Sequence, residues 1–167
     1  MQIYRINKET DEWLKKAYDY VRTDAFCFGQ NIPVELEVAG EEAQDDLEGV
    51  VILEDHKPVA GCRISYPADG IGKIERVCVV REKQKGGYGS ILIREAEKWL
   101  IENGVRHIVI NSQDRAAGFY HKLGYITNPT VDPHAYDKKR KRKKAADEAS
   151  LPKINLGFST VLVEKYV

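Results

Sequence analysis

The chain has 167 residues, 43% of them hydrophobic, which suits one domain with a sizeable core and excludes a disordered chain. No apolar run approaches the roughly 18 residues of a membrane span, and the start, MQIYRINKETDEW, lacks the basic-then-apolar layout of a secretory leader, so a cytoplasmic protein with no membrane partner is expected. The net charge of zero hides an asymmetry. Lys138 to Lys144 (KKRKRKK) holds seven positive charges in a row, and the remaining 19 basic residues face 26 acidic ones, a balance of −7. An acidic body with one basic strip favours a cationic partner over a nucleic acid. Cys27, Cys62 and Cys78 are odd in number and far apart, with no CxxC pair or Cys/His cluster, so free thiols and no metal are expected.

Gln2 to Asn7 reads as a strand, with Ile3 and Arg5 on one face and Tyr4 and Ile6 on the other. Asn7 or Thr10 is placed to cap a helix in which Trp13, Leu14, Ala17, Tyr18 and Val21 repeat at helical spacing. From Phe26 to Leu47 the pattern is irregular, with Pro33 and the acidic Glu41 to Asp46 stretch. Gly49 to Glu54 and Val59 to Tyr66 form two strands around a turn at Asp55-His56-Lys57-Pro58, and Gly72 to Val80 gives a third. A helix from Tyr88 to Asn103 follows, with Tyr88, Leu92, Ala96, Trp99 and Leu100 on one face and Gly104 as its left-handed stop. Arg106 to Asn111 is a strand. A shorter helix groups Ala116, Phe119, Tyr120 and Leu123 and stops at Gly124, and Tyr125 to Val131 and Leu156 to Val163 are the last two strands. The order predicts one mixed α/β domain over 1–167, with a basic, mobile insertion at about 134–153.

The chemistry concentrates where the third central strand ends at Cys78-Val79-Val80 and Gln84-Lys85-Gly86-Gly87-Tyr88-Gly89-Ser90 opens a helix. Glycines allow positive φ and close approach of a ligand, and the free N–H groups of a first helical turn attract phosphate. By composition alone such a turn is equally a plain connector. It is not a P-loop, because no GK[ST] follows, and its glycines are wrongly spaced for a dinucleotide fingerprint.

Gln84-x-x-Gly87-x-Gly89 resembles the [Q/R]-x-x-G-x-[G/A] motif of the GNAT acetyltransferase superfamily, and Phe119-Tyr120-His121-Lys122-Leu123-Gly124-Tyr125 resembles its FYxKLGF segment. The separation and element order are also similar, over essentially the full chain. Arg22-x-x-Ala25-Phe26, Gln30, Pro33-x-Glu35-x-Glu37 and Gln113 resemble the ElaA-like branch, from which Gly29 and the basic strip depart. The resemblance implies a GNAT-like single mixed, splayed sheet of six to seven strands flanked by about four helices. It implies acetyl-CoA as co-substrate, with the pyrophosphate on the N–H groups of Lys85, Gly86, Gly87, Tyr88, Gly89 and Ser90. The pantetheine would pair like an extra strand with Cys78, Val79 and Val80, beside Gln84 and Gln113. A strand-end N–H near Val79 or Val80 would polarise the thioester, and Tyr120 would protonate the leaving thiolate; by residue type alone Tyr120 is equally a core tyrosine.

The expected reaction is N-acetylation of a small-molecule or peptide amine by direct attack, by a monomer or homodimer. An alkyl amine of pKa ~10.4 is only about one part in 2,500 neutral at pH 7, a shortfall of ~4.6 kcal/mol, so a base or a desolvating pocket is needed. Glu75 is the candidate base; its alternative role is to pair with Arg76, Lys73 or a neighbouring strand. Glu35, Glu37 and an ordered water are the other candidates. His56 and His107 are expected to be exposed, and His121 to lie on a different face from Tyr120. The rival reading is a non-catalytic module that binds CoA, or a polyanion through Lys138 to Lys144; the absence of interleaved aromatics weighs against single-stranded nucleic acid.

Overall fold

The computed structural model describes residues 1–28, 47–137 and 158–167. Within them the elements run β1 (Gln2–Ile6), α1 (Glu12–Arg22), a π-helical turn (Thr23–Phe28), β2 (Glu48–Glu54), β3 (Lys57–Ala68), β4 (Ile71–Val79), α2 (Tyr88–Glu102), β5 (His107–Gln113), α3 (Ala117–Lys122), β6 (Ile126–Thr127) and β7 (Thr160–Tyr166). They form one seven-stranded sheet in the order β1-β2-β3-β4-β5-β7-β6. β1 to β4 are an antiparallel meander, β4 and β5 pair in parallel across the α2 crossover, and β7 pairs antiparallel with both β5 and β6. This is the expected mixed sheet, with three α-helices among the described residues. The basic strip 138–144, Gln30, Glu35 and Glu37 lie outside them.

Strand alternation assigns the two faces of the sheet. Tyr4 and Ile6 turn towards α1, where Ile6, Leu14, Ala17, Tyr18, Val51 and Leu53 form one buried cluster. Val50, Ile52, Ile64, Ile74, Ile108 and Ile110 belong to the larger cluster with Leu92, Ile93, Ala96 and Leu100 of α2 and Tyr120 and Leu123 of α3 or its end. Thus α1 covers one face and α2 and α3 the other. Arg5, on the opposite side of β1 from Ile6, pairs with Glu95 at 2.8 Å and Glu102 at 2.7 Å on α2.

Local chemistry explains where the elements end. Asp55 (φ 50°) and His56 (φ 64°) are both left-handed between the paired Glu54 and Lys57, a two-residue hairpin turn that matches strand twist. α2 ends before Gly104 at φ 86°, and the chain leaves α3 through Gly124 at φ 96°. Asn7 and Thr10 do not cap α1. They bond to each other's segment instead, with the Asn7 N–H on Thr10 Oγ1 at 2.8 Å, and Asp11 takes the cap position. Trp13 sits one residue off the buried stripe and stays half exposed, its ring edge-on to Tyr4 at 5.8 Å. The strand expected from Tyr125 to Val131 is cut to two residues, because Asn128 Oδ1 accepts the Thr130 N–H at 3.1 Å and turns the chain. The last strand begins at Thr160, in register with Gln113 of β5, and runs on to Tyr166.

Candidate active site

The sheet opens in its middle. β4 and β5 pair only from Ile71↔His107 to Lys73↔Val109. Beyond that, β4 stays with β3 as far as Val79↔Ala60, and β5 stays with β7 as far as Gln113↔Thr160. The cause is a bulge in β4. Arg63 pairs with Glu75 and Gly61 with Cys78, so Arg76 and Val77 stand opposite the single residue Cys62, and Arg76 takes φ 52°. An extra residue bends and over-twists its strand, here away from β5.

At the mouth of this gap the Val80 N–H donates to the Val59 carbonyl at 2.9 Å. Antiparallel ladders alternate, so the neighbouring Ala60↔Val79 pair is of the non-hydrogen-bonded kind, and the N–H and C=O of Val79 point away from β3 into the gap. The Val79 carbonyl accepts a hydrogen bond from Gln84 Nε2 at 3.2 Å. Of the three residues expected to line the donor, Val79 therefore presents its backbone to the gap, while Val80 is engaged with β3 and Cys78 Sγ is turned to the Gly61 carbonyl at 3.4 Å.

The turn after β4 brings a helix terminus to the same place. Lys83 N–H bonds the Val80 carbonyl at 3.0 Å and Gly86 N–H the Lys83 carbonyl at 3.3 Å, and Lys85 (φ 68°) and Gly87 (φ 84°) turn the chain into α2. Gly87 caps the helix with no side-chain hydrogen bond, and no acidic residue stands in the first turn. The N–H groups of Tyr88, Gly89 and Ser90 thus face outward with the positive end of the helix dipole. Tyr88 leans the other way, its hydroxyl donating to Glu54 Oε2 at 3.0 Å. A Cβ on Gly89 would lie 3.1 Å from the Phe119 ring. This glycine lets α3 pack against the start of α2.

Next to Phe119, Tyr120 belongs to the same buried cluster as Cys62, Cys78 and Val80. Its side chain is buried, edge-on to Phe119 at 5.0 Å and to Tyr125 at 6.0 Å. Burial, aided by the nearby thiols of Cys62 and Cys78, raises its pKa well above the ordinary phenol value. Gln113 closes β5, its Oε1 accepting from Arg115 Nε at 2.8 Å. Cys62 is fully buried and its thiol is pushed up to about 12, which leaves it inert.

Glu75 sits further along β4, on the α1 side, in close ion pairing with Arg63. It also accepts from Ser65 Oγ at 3.0 Å and lies 3.4 Å from the Lys73 ammonium. Burial alone would raise its pKa, but the charges of Arg63 and Lys73 and the hydrogen bonds from Arg63 and Ser65 outweigh it and hold the carboxyl below its usual range. Of the pairing partners expected for Glu75, the structure selects Lys73 and a residue of the neighbouring strand.

Two contacts escape sequence reasoning because they join distant segments. Asp24, in the π-helical turn, accepts the Arg81 backbone N–H at 2.9 Å and pairs with the Arg81 guanidinium at 3.2 Å. Asp137 pairs with Lys73 at 2.7 Å and with His134 Nδ1 at 2.9 Å. His107 is not exposed as expected, because strand pairing stacks it on Tyr166 at 4.2 Å and sets its Nε2 3.2 Å from Glu164. His56 is exposed, and His121 lies off the Tyr120 face with its Nε2 2.7 Å from Thr127 Oγ1. Among the described residues no group of three or more His, Cys, Asp or Glu side chains is placed to hold a metal, and no helix is long and apolar enough to cross a membrane.

Residues 3–125 match the sequence profile of the acetyltransferase (GNAT) family. The chain is 36% identical over 117 residues to the uncharacterized N-acetyltransferase YjcF of Bacillus subtilis (strain 168), covering 70% of this chain and 81% of that protein. Its fold is similar to that of Escherichia coli ElaA (TM-score 0.71, 16% identity, 98% of each chain). It is similar also to the catalytic domain of the Tetrahymena GCN5 histone acetyltransferase, solved in complex with coenzyme A (TM-score 0.68, 14% identity, 99% of this chain and 92% of that one).

Proposed function

Because this chain belongs to the GNAT family of acetyltransferases, we propose that it moves the acetyl group of acetyl-CoA directly onto an amine of a small molecule or peptide. One observation carries the reading. A strand-end N–H, that of Val79, faces a gap in the sheet, with an uncapped helix terminus after it and a buried tyrosine in the core cluster that includes Cys78 and Val80.

In this reading the pyrophosphate rests on the N–H groups from Lys85 to Ser90, where the absence of a capping side chain leaves donors for it. The pantetheine arm enters between β4 and β5, beside Val79 and Gln113. The thioester carbonyl oxygen then meets the Val79 N–H, and a fixed donor aimed at a developing oxyanion lowers the barrier by roughly 3–4 kcal/mol. The donor occupies the α2 and α3 side, so the amine approaches from the α1 side, where Glu75 projects. The amine lone pair forms the C–N bond, and its surplus proton leaves through water towards Glu75. Held ionised by Arg63 and Lys73, Glu75 relays that proton to solvent and does not store it. Collapse of the tetrahedral adduct breaks the C–S bond, and the departing thiolate takes the Tyr120 hydroxyl proton. Burial keeps the phenol protonated, so its hydroxyl hydrogen-bonds the sulfur as negative charge builds there. The same burial makes it a weaker acid, so the transfer completes as solvent returns a proton to the phenol oxygen.

The deciding experiment combines calorimetry of acetyl-CoA binding with thiol release over a panel of amines, amino acids, amino sugars and peptides. Binding at micromolar affinity and amine-dependent thiol release are expected. Absence of acetyl-CoA binding ends this reading.

A further inference from the structure

On the acceptor side of the gap, one buried cation has an unusual partner. Lys73 is the last residue of β4 to pair with β5, so it stands where the two halves of the sheet part. Arg63, Glu75 and Lys73 share the face turned to α1, because Arg63 pairs with Gly49 and Gly49 with Ile6, a member of the α1 cluster. Lys73 is only 6% exposed. A buried ammonium needs a counter-ion in contact, since leaving it uncompensated costs several kcal/mol. Glu75 is 3.4 Å away but is already committed to Arg63 and Ser65. The close partner is Asp137 at 2.7 Å.

Asp137 is an odd source for that charge. It belongs to neither half of the sheet but to the turn that follows β6, and its side chain is 44% exposed. Its other contact, His134, is 63% exposed and touches Asn111 Nδ2 at 3.4 Å. Asn111 Oδ1, on β5 in the parted half of the sheet, is buried with no hydrogen-bond partner among the described residues. A dry, strand-mounted cation is thus neutralised by a carboxylate from a half-solvated turn, next to a buried acceptor atom that is unmet.

We propose that Lys73 is a carboxylate-binding point of the acceptor site, that Asp137 occupies it when no substrate is bound, and that the acceptor class is amines bearing a carboxylate, as amino acids do. This deepens the acetyltransferase reading and rests on it. The acceptor's carboxylate replaces Asp137 on the Lys73 ammonium as a charge-assisted contact. Its ammonium lies towards Glu75, 3.4 Å from that same lysine nitrogen, which is the side from which the acetyl group is attacked.

The test has two arms. In the first, N-acetyl amino acids and their carboxamides are titrated into the protein with CoA present, so that the measurement needs no turnover. The free acids are expected to bind at least tenfold more tightly than the amides. Lys73→Met should erase that difference, Lys73→Arg should keep it, and Asp137→Asn, which removes the competing charge, should tighten the acids severalfold. In the second arm, thiol release is compared for amino acids and their amides under saturating acetyl-CoA, with the same variants. Equal binding of acids and amides by the wild-type protein overturns the proposal, as does a preference that survives in Lys73→Met. A Lys73→Met protein that melts earlier with the preference intact, or an Asp137→Asn protein that melts earlier without binding the acids more tightly, makes the contact purely structural and likewise overturns it. Failure to bind acetyl-CoA in calorimetry would instead defeat the donor-site reading, and the first arm keeps the two failures apart.

Discussion

A phenol that has lost most of its contact with water gives up its proton late. Tyr120 is buried and its pKa is raised, so it remains an acid across the whole range in which an alkyl amine becomes neutral. The wild-type rate under saturating acetyl-CoA should therefore climb with pH through 9 and 10 with no descending limb from tyrosine ionisation. Tyr120→Phe should lower kcat by about 10²-fold or more while changing acetyl-CoA affinity little, since general acids contribute roughly 10²–10⁴. Glu75 behaves in the opposite sense. Its folded pKa is depressed, so the stability it contributes is present above its unfolded value and is lost as pH falls through the folded one. Glu75→Gln leaves Arg63 and Lys73 close together in a buried place and should cost on the order of 3–5 kcal/mol at pH 7. Denaturant titrations at neutral and acid pH should show the gap between wild type and variant narrowing below the ordinary carboxylate range.

At the scale of elements, the turn proposed to hold the pyrophosphate is braced by a distant segment, the turn after α1. Asp24 lies in the π-helical turn that continues α1, and it holds the first residue after Val80 through both its backbone N–H and its guanidinium. Burial alone would raise the Asp24 pKa, but these bonds to Arg81 outweigh it and lower the value. Asp24→Ala removes a charge-assisted hydrogen bond worth about 1.5–3 kcal/mol. About a tenfold rise in KM for acetyl-CoA is expected, with kcat nearly unchanged, measured by thiol release at saturating acceptor. Equal losses in both constants would place Asp24 in the chemical step instead.

At the scale of the whole molecule, two half-sheets share only three paired positions, Ile71 to Lys73 with His107 to Val109, and the proposed donor would join them. Acetyl-CoA at 100 times its Kd should add ~2.7 kcal/mol to folding stability, and in a chain of this size about 2–4 °C of melting temperature per kcal/mol follows, which a thermal scan reads directly. Much of this layout was legible in the sequence, because period-2 and period-3.6 apolar patterns and the glycine stops are local. The Leu14 to Val21 stripe, the hairpin at Asp55-His56 and the end of α2 at Gly104 each follow from adjacent residues. The glycine turn and the Phe119-Tyr120 segment pointed to the family for the same reason. What escaped depends on long-range register. Nothing near Asp24 announces Arg81, nothing near Lys73 announces Asp137, and Trp13 and His107 changed environment only when the sheet was assembled.

The extra residue at Arg76 acts as a wedge. Without it Val77 alone would face Cys62, the ladder with β3 would run unbroken, and Cys78 and Val79 would keep their partners Gly61 and Ala60. The Val79 donor would still point away from β3, but the bend that carries β4 away from β5 would be gone. The two strands would then be free to zip together past Lys73 and fill the opening with their own hydrogen bonds. A single-codon deletion at Arg76 should therefore abolish acetyl-CoA binding and turnover together, even in a protein whose circular dichroism still reports a folded domain.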